Sequence, residues 1–114
     1  MAWRGWAPYT VPMHPAIAQH LSAIAAICRR YAIRRLDVFG SAARGGDFDP
    51  GRSDADFLVE FAPGAPVSLE RFYGAKAELE RLLGRSVDLV EPDAVRNPYV
   101  RASIDRHRQN VYAA

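Results

Sequence analysis

Two aspartates, Asp54 and Asp56, stand two positions apart in a segment whose apolar and polar residues alternate. In a β-strand, side chains at this spacing project from the same face. Neighbouring carboxylates repel each other unless a positive charge neutralises them, and a divalent cation does so readily. Mg²⁺ in particular prefers carboxylate oxygens together with phosphate oxygens and water. The pair predicts a metal site that also takes a phosphate, although a solvated edge strand with two harmless acids would explain it equally well.

A third acid, Asp88, lies among the apolar residues of the segment 86–90. An aspartate inside a central strand is unfavourable, so a partner charge is expected beside it. If this strand neighbours that of Asp54 and Asp56, one or two metal ions could bridge the attacking and leaving oxygens of an in-line displacement. Asp88 would then help to deprotonate an attacking hydroxyl. The alternative is an aspartate at a strand end, exposed to water.

A glycine–serine pair, Gly40 and Ser41, follows the predicted strand 36–39. Glycine allows a phosphate to approach the backbone closely, and free N–H groups at the start of a helix favour an anion. Ser41 adds a hydroxyl and Arg44 adds a fixed positive charge. The turn is therefore a candidate phosphate cradle, but taken alone it is also compatible with an ordinary turn between a strand and a helix.

The elements that must position these residues follow from apolar periodicity and from capping residues. Apolar residues in steps of three and four predict helices, and alternation predicts strands. The predicted order is helix 15–31, strand 36–39, strand 54–61, helix 68–83, strand 86–90 and a last helix from Asn97 to about Val111. This order indicates a small α/β protein.

Length and composition limit the class of protein. The 114 residues suit one domain, which we assign to residues 15–112 after an irregular arm over residues 1–14. The single cysteine, Cys28, excludes a disulfide scaffold or a cysteine-rich zinc site within one chain and favours a reducing cytoplasm. No membrane span or export signal is expected. The net charge of +2 does not require a nucleic-acid partner.

Taken together, three motifs resemble the nucleotidyltransferase superfamily of DNA polymerase beta. They are the Gly-Ser-Ala-Ala-Arg-Gly run at 40–45, the Ser-Asp-Ala-Asp run at 53–56, and the distant Asp88. The match looks closest to the minimal, MNT-type members, the MntA-like antitoxins of HEPN/MNT toxin–antitoxin systems. The resemblance covers roughly residues 15–112.

The resemblance implies a nucleotidyltransferase fold, a small mixed sheet flanked by helices. It implies that such an enzyme moves AMP from ATP to a hydroxyl, expected to be that of a tyrosine, on a partner HEPN ribonuclease toxin, and so acts as an antitoxin in the cytoplasm. It also implies the site residues: Asp54, Asp56 and Asp88 for Mg²⁺ and catalysis, and Gly40, Ser41, Arg44 and Ser53 for the nucleotide.

Two other functions stay open. The protein could neutralise a toxin by binding alone, with the metal site idle. It could also transfer a nucleotide to a small molecule, which is less favoured because the chain is short for an acceptor-binding domain of its own. The arginines Arg101, Arg106 and Arg108 of the last predicted helix could bind a partner or RNA, but a solvated helical face is the default interpretation.

Overall fold

A four-stranded sheet with the strand order β3-β2-β1-β4 organises the protein. The structure is a computed structural model that describes residues 15–39, 55–64 and 68–114. Its elements are α1 (Pro15–Ala18), α2 (Leu21–Arg30), β1 (Ile33–Phe39), β2 (Ala55–Phe61), α3 (Leu69–Leu83), β3 (Val87–Val90), a 3-10 turn (Pro92–Ala94), α4 (Pro98–His107) and β4 (Gln109–Ala113). The predicted α/β class and the mixed sheet flanked by helices are confirmed.

The sheet is mixed because its connections differ in length. Strand β1 runs antiparallel to both β2 and β4. Strands β2 and β3 are parallel, and α3 forms the crossover that a parallel pair requires. Among the described strands, β3 lies at one edge of the sheet, so Asp88 is on an edge strand and not on the central strand that its apolar neighbours suggested. At an edge the carboxylate reaches water, so the strand tolerates it without a buried partner charge.

One face of the sheet packs against α2 and α3 and forms the core. The alternation predicted for β2 places Ala55, Phe57 and Val59 on this face, and none of the three is exposed. The helices add a shared set of buried side chains, among them Ile24, Cys28, Ala75 and Leu79. Burial raises the pKa of the Cys28 thiol to about 12, so Cys28 is a packed apolar residue rather than a nucleophile. The polar side chains of β2 are left for the other face.

Helix α3 begins and ends at the residues that its sequence predicts. The Ser68 hydroxyl accepts a hydrogen bond from the Arg71 N–H at 3.1 Å, a cap that is typically worth about 1 kcal/mol. Gly84 ends the helix with a φ of 67°, a left-handed conformation that glycine adopts without steric cost. Both caps fix where the chain turns into β3, and so they fix the position of Asp88.

The ends of the chain correct two predicted helices. The first predicted helix is divided into α1 and α2. The last helix ends at His107 rather than near Val111, and residues 109–113 form β4 on the free side of β1. Val111 and Tyr112 favour a strand, and pairing with β1 satisfies backbone groups that would otherwise lie open at a sheet edge. This change moves Arg108 from a helical face to the boundary between helix and sheet.

The predicted arm at residues 1–14 lies outside the described residues. Within the described residues, no helix has the length and apolar character needed to cross a bilayer.

Candidate active site

Asp56 and Asp88 lie directly opposite each other on neighbouring strands. The parallel register pairs Asp56 of β2 with Asp88 of β3, and backbones of adjacent strands are about 4.8 Å apart. Their chain neighbours Ala55, Val87 and Leu89 are buried on the core face. Because side chains alternate along a strand, both carboxylates project from the face opposite α2 and α3.

This arrangement is the one that a shared cation requires. Like charges directly opposite each other destabilise a sheet, and a cation between them removes that cost. Asp88 is exposed and Asp56 is partly buried, so the pair opens to solvent at the edge of the sheet. Two carboxylates facing one volume are a donor set that fits a hard divalent cation with free positions for phosphate oxygens.

Five of the predicted site residues lie outside the described residues: Gly40, Ser41, Arg44, Ser53 and Asp54. Their flanking strands nevertheless converge. Strand β1 ends at Phe39, directly before Gly40, and Phe39 pairs with Asp56. Strand β2 begins directly after Asp54. In the sequence, Gly40 directly follows the residue that pairs with Asp56, and Asp54 precedes Asp56 by two positions. The roles of the glycine–serine turn and of Asp54 stay predictions.

A metal site with three ligands would need a residue beyond those described. In the ranges 15–39, 55–64 and 68–114, no three side chains of His, Cys, Asp or Glu are arranged to hold a metal ion. Asp54 is the residue that the sequence motif adds to Asp56 and Asp88.

A basic side chain that sequence reasoning missed lies close to Asp88. The pKa of Lys76 on α3 is raised, first by its hydrogen bond to Glu80 and also by the negative charge of Asp88. The ammonium of Lys76 lies 2.9 Å from Oε2 of Glu80. Lys76 is the single lysine among fifteen basic residues, and that rarity was the only signal available in the sequence.

A second missed feature is Asp37 of β1, a buried carboxylate with several partners. It is only 1% exposed. Its oxygens lie 3.0 Å from Nε of Arg108 and 3.2 Å from Nε of Arg35, and it accepts a hydrogen bond from the Asn110 amide at 2.9 Å. An aspartate between Leu36 and Val38 carries the same signal as Asp88, an acid inside an apolar strand.

Asp37 shares the face of the candidate metal ligands. It pairs with Leu58, which stands two residues after Asp56 on β2, so Asp37 is a diagonal neighbour of Asp56, about 7–8 Å away. The expectation that Arg108 belongs to a solvated helical face is wrong. Arg108 follows α4 and lies against Asp37, because the chain turns there into β4.

Comparison with known proteins identifies the family of the chain. A family model described as nucleotidyltransferase domain matches residues 21–111. A protein of Methanocaldococcus jannaschii, provisionally named protein adenylyltransferase MJ0128, is 40% identical over 67% of this chain and 74% of its own length.

Two solved structures share the fold. A structure described as a minimal nucleotidyltransferase is 34% identical, with a TM-score of 0.66 over 81% of this chain and 89% of the other. A chain from the complex of tri-AMPylated Shewanella oneidensis HEPN toxin with MNT antitoxin gives a TM-score of 0.58 at 14% identity, over 85% of this chain and 72% of the other. The second likeness is one of fold alone.

The fold and the facing carboxylates thus define an enzyme of nucleotidyl transfer. The chain belongs to the nucleotidyltransferase domain family, and the resemblance to its minimal members seen in the sequence is confirmed.

Proposed function

We propose that this protein transfers AMP from ATP to a hydroxyl, that of a tyrosine, on a partner HEPN-type ribonuclease toxin, and that it acts as an antitoxin in the cytoplasm. The observation that carries the proposal is the pairing of Asp56 with Asp88 on one open face of the sheet. The M. jannaschii relatives named for protein adenylyl transfer and the fold shared with an MNT antitoxin complex support the choice of nucleotide and acceptor.

The proposed site uses residues from three parts of the chain. Asp54, Asp56 and Asp88 would hold Mg²⁺. When bound, the ion supplies positive charge that neutralises phosphate oxygens and polarises the reacting phosphorus. The turn from Gly40 to Arg44, together with Ser53, would bind the triphosphate through backbone N–H groups, hydroxyls and a guanidinium.

The chemistry is a displacement at the α-phosphorus of ATP. The acceptor oxygen forms a bond to that phosphorus while the bond to the bridging oxygen of the β-phosphate breaks. Pyrophosphate leaves with the electron pair, and Asp88 accepts the proton of the acceptor hydroxyl. Asp88 suits this role because it is exposed on an edge strand, where a large acceptor can approach.

The experiment pairs the protein with a HEPN-type ribonuclease toxin and with ATP labelled at either the α- or the γ-phosphate. The proposal expects label from the α-position on the partner, none from the γ-position, and loss of labelling when Mg²⁺ is chelated. In Asp88→Asn labelling should be lost. Asp93→Asn, an exposed acid in the 3-10 turn close by, is the matched control and should label normally.

Each alternative has its own outcome. Neutralisation of the ribonuclease without any label would support an antitoxin that acts by binding alone. Label that appears on a small hydroxylated molecule such as an aminoglycoside, and never on protein, would support the third function. Either result would overturn the proposal of protein adenylylation.

A further inference from the structure

An apolar groove runs beside the edge strand β3. Its volume is about 530 Å³, within the range of about 300–1,000 Å³ that binding pockets occupy. Two large side chains stand in it with much of their surface in water: Leu69 is 76% exposed and Tyr73 is 58% exposed. Exposed apolar surface of this kind marks interaction sites. The apolar lining consists of Leu69, Phe72 and Tyr73 of α3 and of Leu89, Val90 and Ala94.

The groove continues into the candidate active site. Leu89 and Val90 directly follow Asp88 on β3. On α3, Lys76 follows Tyr73 by three residues, which places the two on one face of the helix. The groove therefore begins next to Asp88 along β3, on the α3 side of the strand edge, while the Asp88 carboxylate projects from the other face of the same edge.

The outer edge of β3 offers backbone groups along the same path. The Val87 N–H donates to Glu80 Oε2 at 3.0 Å, so the backbone of Val87 faces away from β2. Residues two apart on a strand turn their backbone groups to the same side, so Leu89 faces the same way. Leu89 also lines the groove. An extended chain that adds to a sheet edge uses such groups for affinity and uses side-chain pockets for specificity.

We propose that the groove binds an apolar side chain of the acceptor protein, three residues away in the acceptor's sequence from the hydroxyl that receives AMP. The inference rests on the proposed function and names a recognition element for its acceptor. Asp88 is followed along the same strand edge by two residues of the groove, Leu89 and Val90. Side chains of an extended segment alternate between two faces, so residues three apart project to opposite faces and lie about 10 Å apart. One segment along this edge can thus place a hydroxyl on the face of Asp88 and an apolar side chain in the groove.

The first test uses synthetic peptides as acceptors. Each contains one tyrosine, with a leucine three residues before or after it, and a matched set carries serine in place of leucine. With labelled ATP, one of the two leucine peptides, with leucine either before or after the tyrosine, should show a KM about tenfold lower than its serine counterpart. This is the difference expected from burying one leucine side chain. Equal KM values for the leucine and serine peptides would overturn the proposal.

Exposed residues permit matched variants. Leu69→Ser and Tyr73→Ser should each remove most of the advantage of the leucine peptide while leaving the KM for ATP unchanged. Tyr99→Ser is the control, because Tyr99 is a tyrosine of α4 that is 85% exposed and lies outside the groove. It should behave as the unmodified protein does. Groove variants that keep the full preference for leucine would refute the assignment.

A binding measurement separates this inference from the proposed function. The same peptides with phenylalanine in place of tyrosine are titrated into ¹⁵N-labelled protein without ATP. Chemical-shift changes at Leu69, Tyr73 and Leu89 that occur only with the leucine peptides support binding in the groove. They do so even if no peptide is ever labelled, in which case only the proposed transfer reaction is contradicted. Absence of such shifts overturns the groove whatever the transfer result. Shifts that follow the protein's own concentration would instead identify a second copy as the occupant.

Discussion

Two sets of carboxylates share one face of the sheet and differ in how the chain balances their charge. Asp37 is buried and lies against the guanidinium groups of Arg35 and Arg108. Asp56 and Asp88 instead face each other across adjacent strands. The first set is neutralised by the protein itself, while the second brings like charges together at an open edge.

Because of this difference, removing the Asp37 carboxylate and removing one carboxylate of the Asp56–Asp88 pair should change the stability of the fold in opposite directions. Taking the carboxylate from Asp37 removes a buried counter-charge from Arg35 and from the partly buried Arg108, which destabilises a fold. Taking one carboxylate from the facing pair relieves the repulsion between the two and removes a ligand. Stability and activity should therefore separate between the two sets.

The largest effect is expected from Asp56→Asn. Transfer of AMP should fall by about a hundredfold to a thousandfold, because a charge that acts on the transition state is lost. The midpoint of thermal unfolding should stay the same or rise, because repulsion of Asp88 is relieved. Asp54→Asn should have the same effect on transfer. The measurements are the initial rate of labelling from α-labelled ATP and a melting curve for each variant.

Glu60→Gln is the matched control for this comparison. Glu60 lies on the same strand and face, four residues from Asp56, and pairs with Arg34 at 2.6 Å. Its loss should leave the rate of transfer within a factor of about two, since surface ion pairs contribute little. Retained activity in Asp56→Asn, or an equal loss in Glu60→Gln, would contradict the metal role of Asp56.

Asp37→Asn should act on stability. We expect the free energy of unfolding to fall by about 2–3 kcal/mol, the worth of a hydrogen-bonded buried charge whose arginine partners can still reach water. Asp105→Asn removes another carboxylate bound to Arg108, at 3.0 Å, but Asp105 is 53% exposed. That control should cost less than about 0.5 kcal/mol. Urea unfolding compares the two, and equal losses would show that Asp37 is not the structural charge.

The sequence predicted the elements that local signals define. Ser68 caps the start of α3 and Gly84 ends it, as predicted. The alternation of apolar and polar residues places Phe57 and Val59 in the core. Both predictions succeed because helix capping and side-chain alternation are local properties of the sequence. Strand β4 was missed, since its residues pair with β1 more than seventy positions away and its local pattern continues the helix. Strand order is likewise a property of the whole chain, so the edge position of Asp88 could not be read from residues 86–90.

The same limit applies to the site. The motif at 53–56 and the distant Asp88 were identified by residue type, and the structure brings Asp56 and Asp88 together. Asp37 carried an equal local signal, an acid among apolar residues, but no family motif. The structural role of Asp37 depends on Arg108 and Asn110, which contact its carboxylate because the chain turns into β4. Sequence reasoning therefore named the carboxylates that belong to a family motif and missed the buried one that lies against two arginines.

Magnesium should stabilise the protein through one set of carboxylates only. At a concentration ten times the dissociation constant, Mg²⁺ should add about 1.4 kcal/mol to the free energy of unfolding, because it binds the folded state. Asp37→Asn should keep this increment from a lower starting value, and Asp56→Asn should lose it. Melting curves with and without Mg²⁺ measure both. An increment that survives in Asp56→Asn would place the cation elsewhere.

The smallest predicted effect tests whether hydrogen-bonding partners or burial decides how much a carboxylate contributes to stability. Glu80 resembles Asp37 in having partners and Asp88 in reaching solvent. Its hydrogen bond to Lys76, followed by the Val87 N–H, lowers its pKa below the usual 4.5. A carboxyl whose pKa is lowered on folding adds stability above its unfolded pKa and loses that contribution as the pH falls through the folded value. The difference in unfolding free energy between the unmodified protein and Glu80→Gln should therefore be constant near neutral pH and shrink below pH 4.5.

Glu70→Gln, on the exposed first turn of the same helix, is the control. Glu80→Gln could lower the free energy of unfolding as much as Asp37→Asn does. In that case hydrogen-bonding partners alone would decide how much a carboxylate stabilises this fold, and the comparison based on burial would be contradicted.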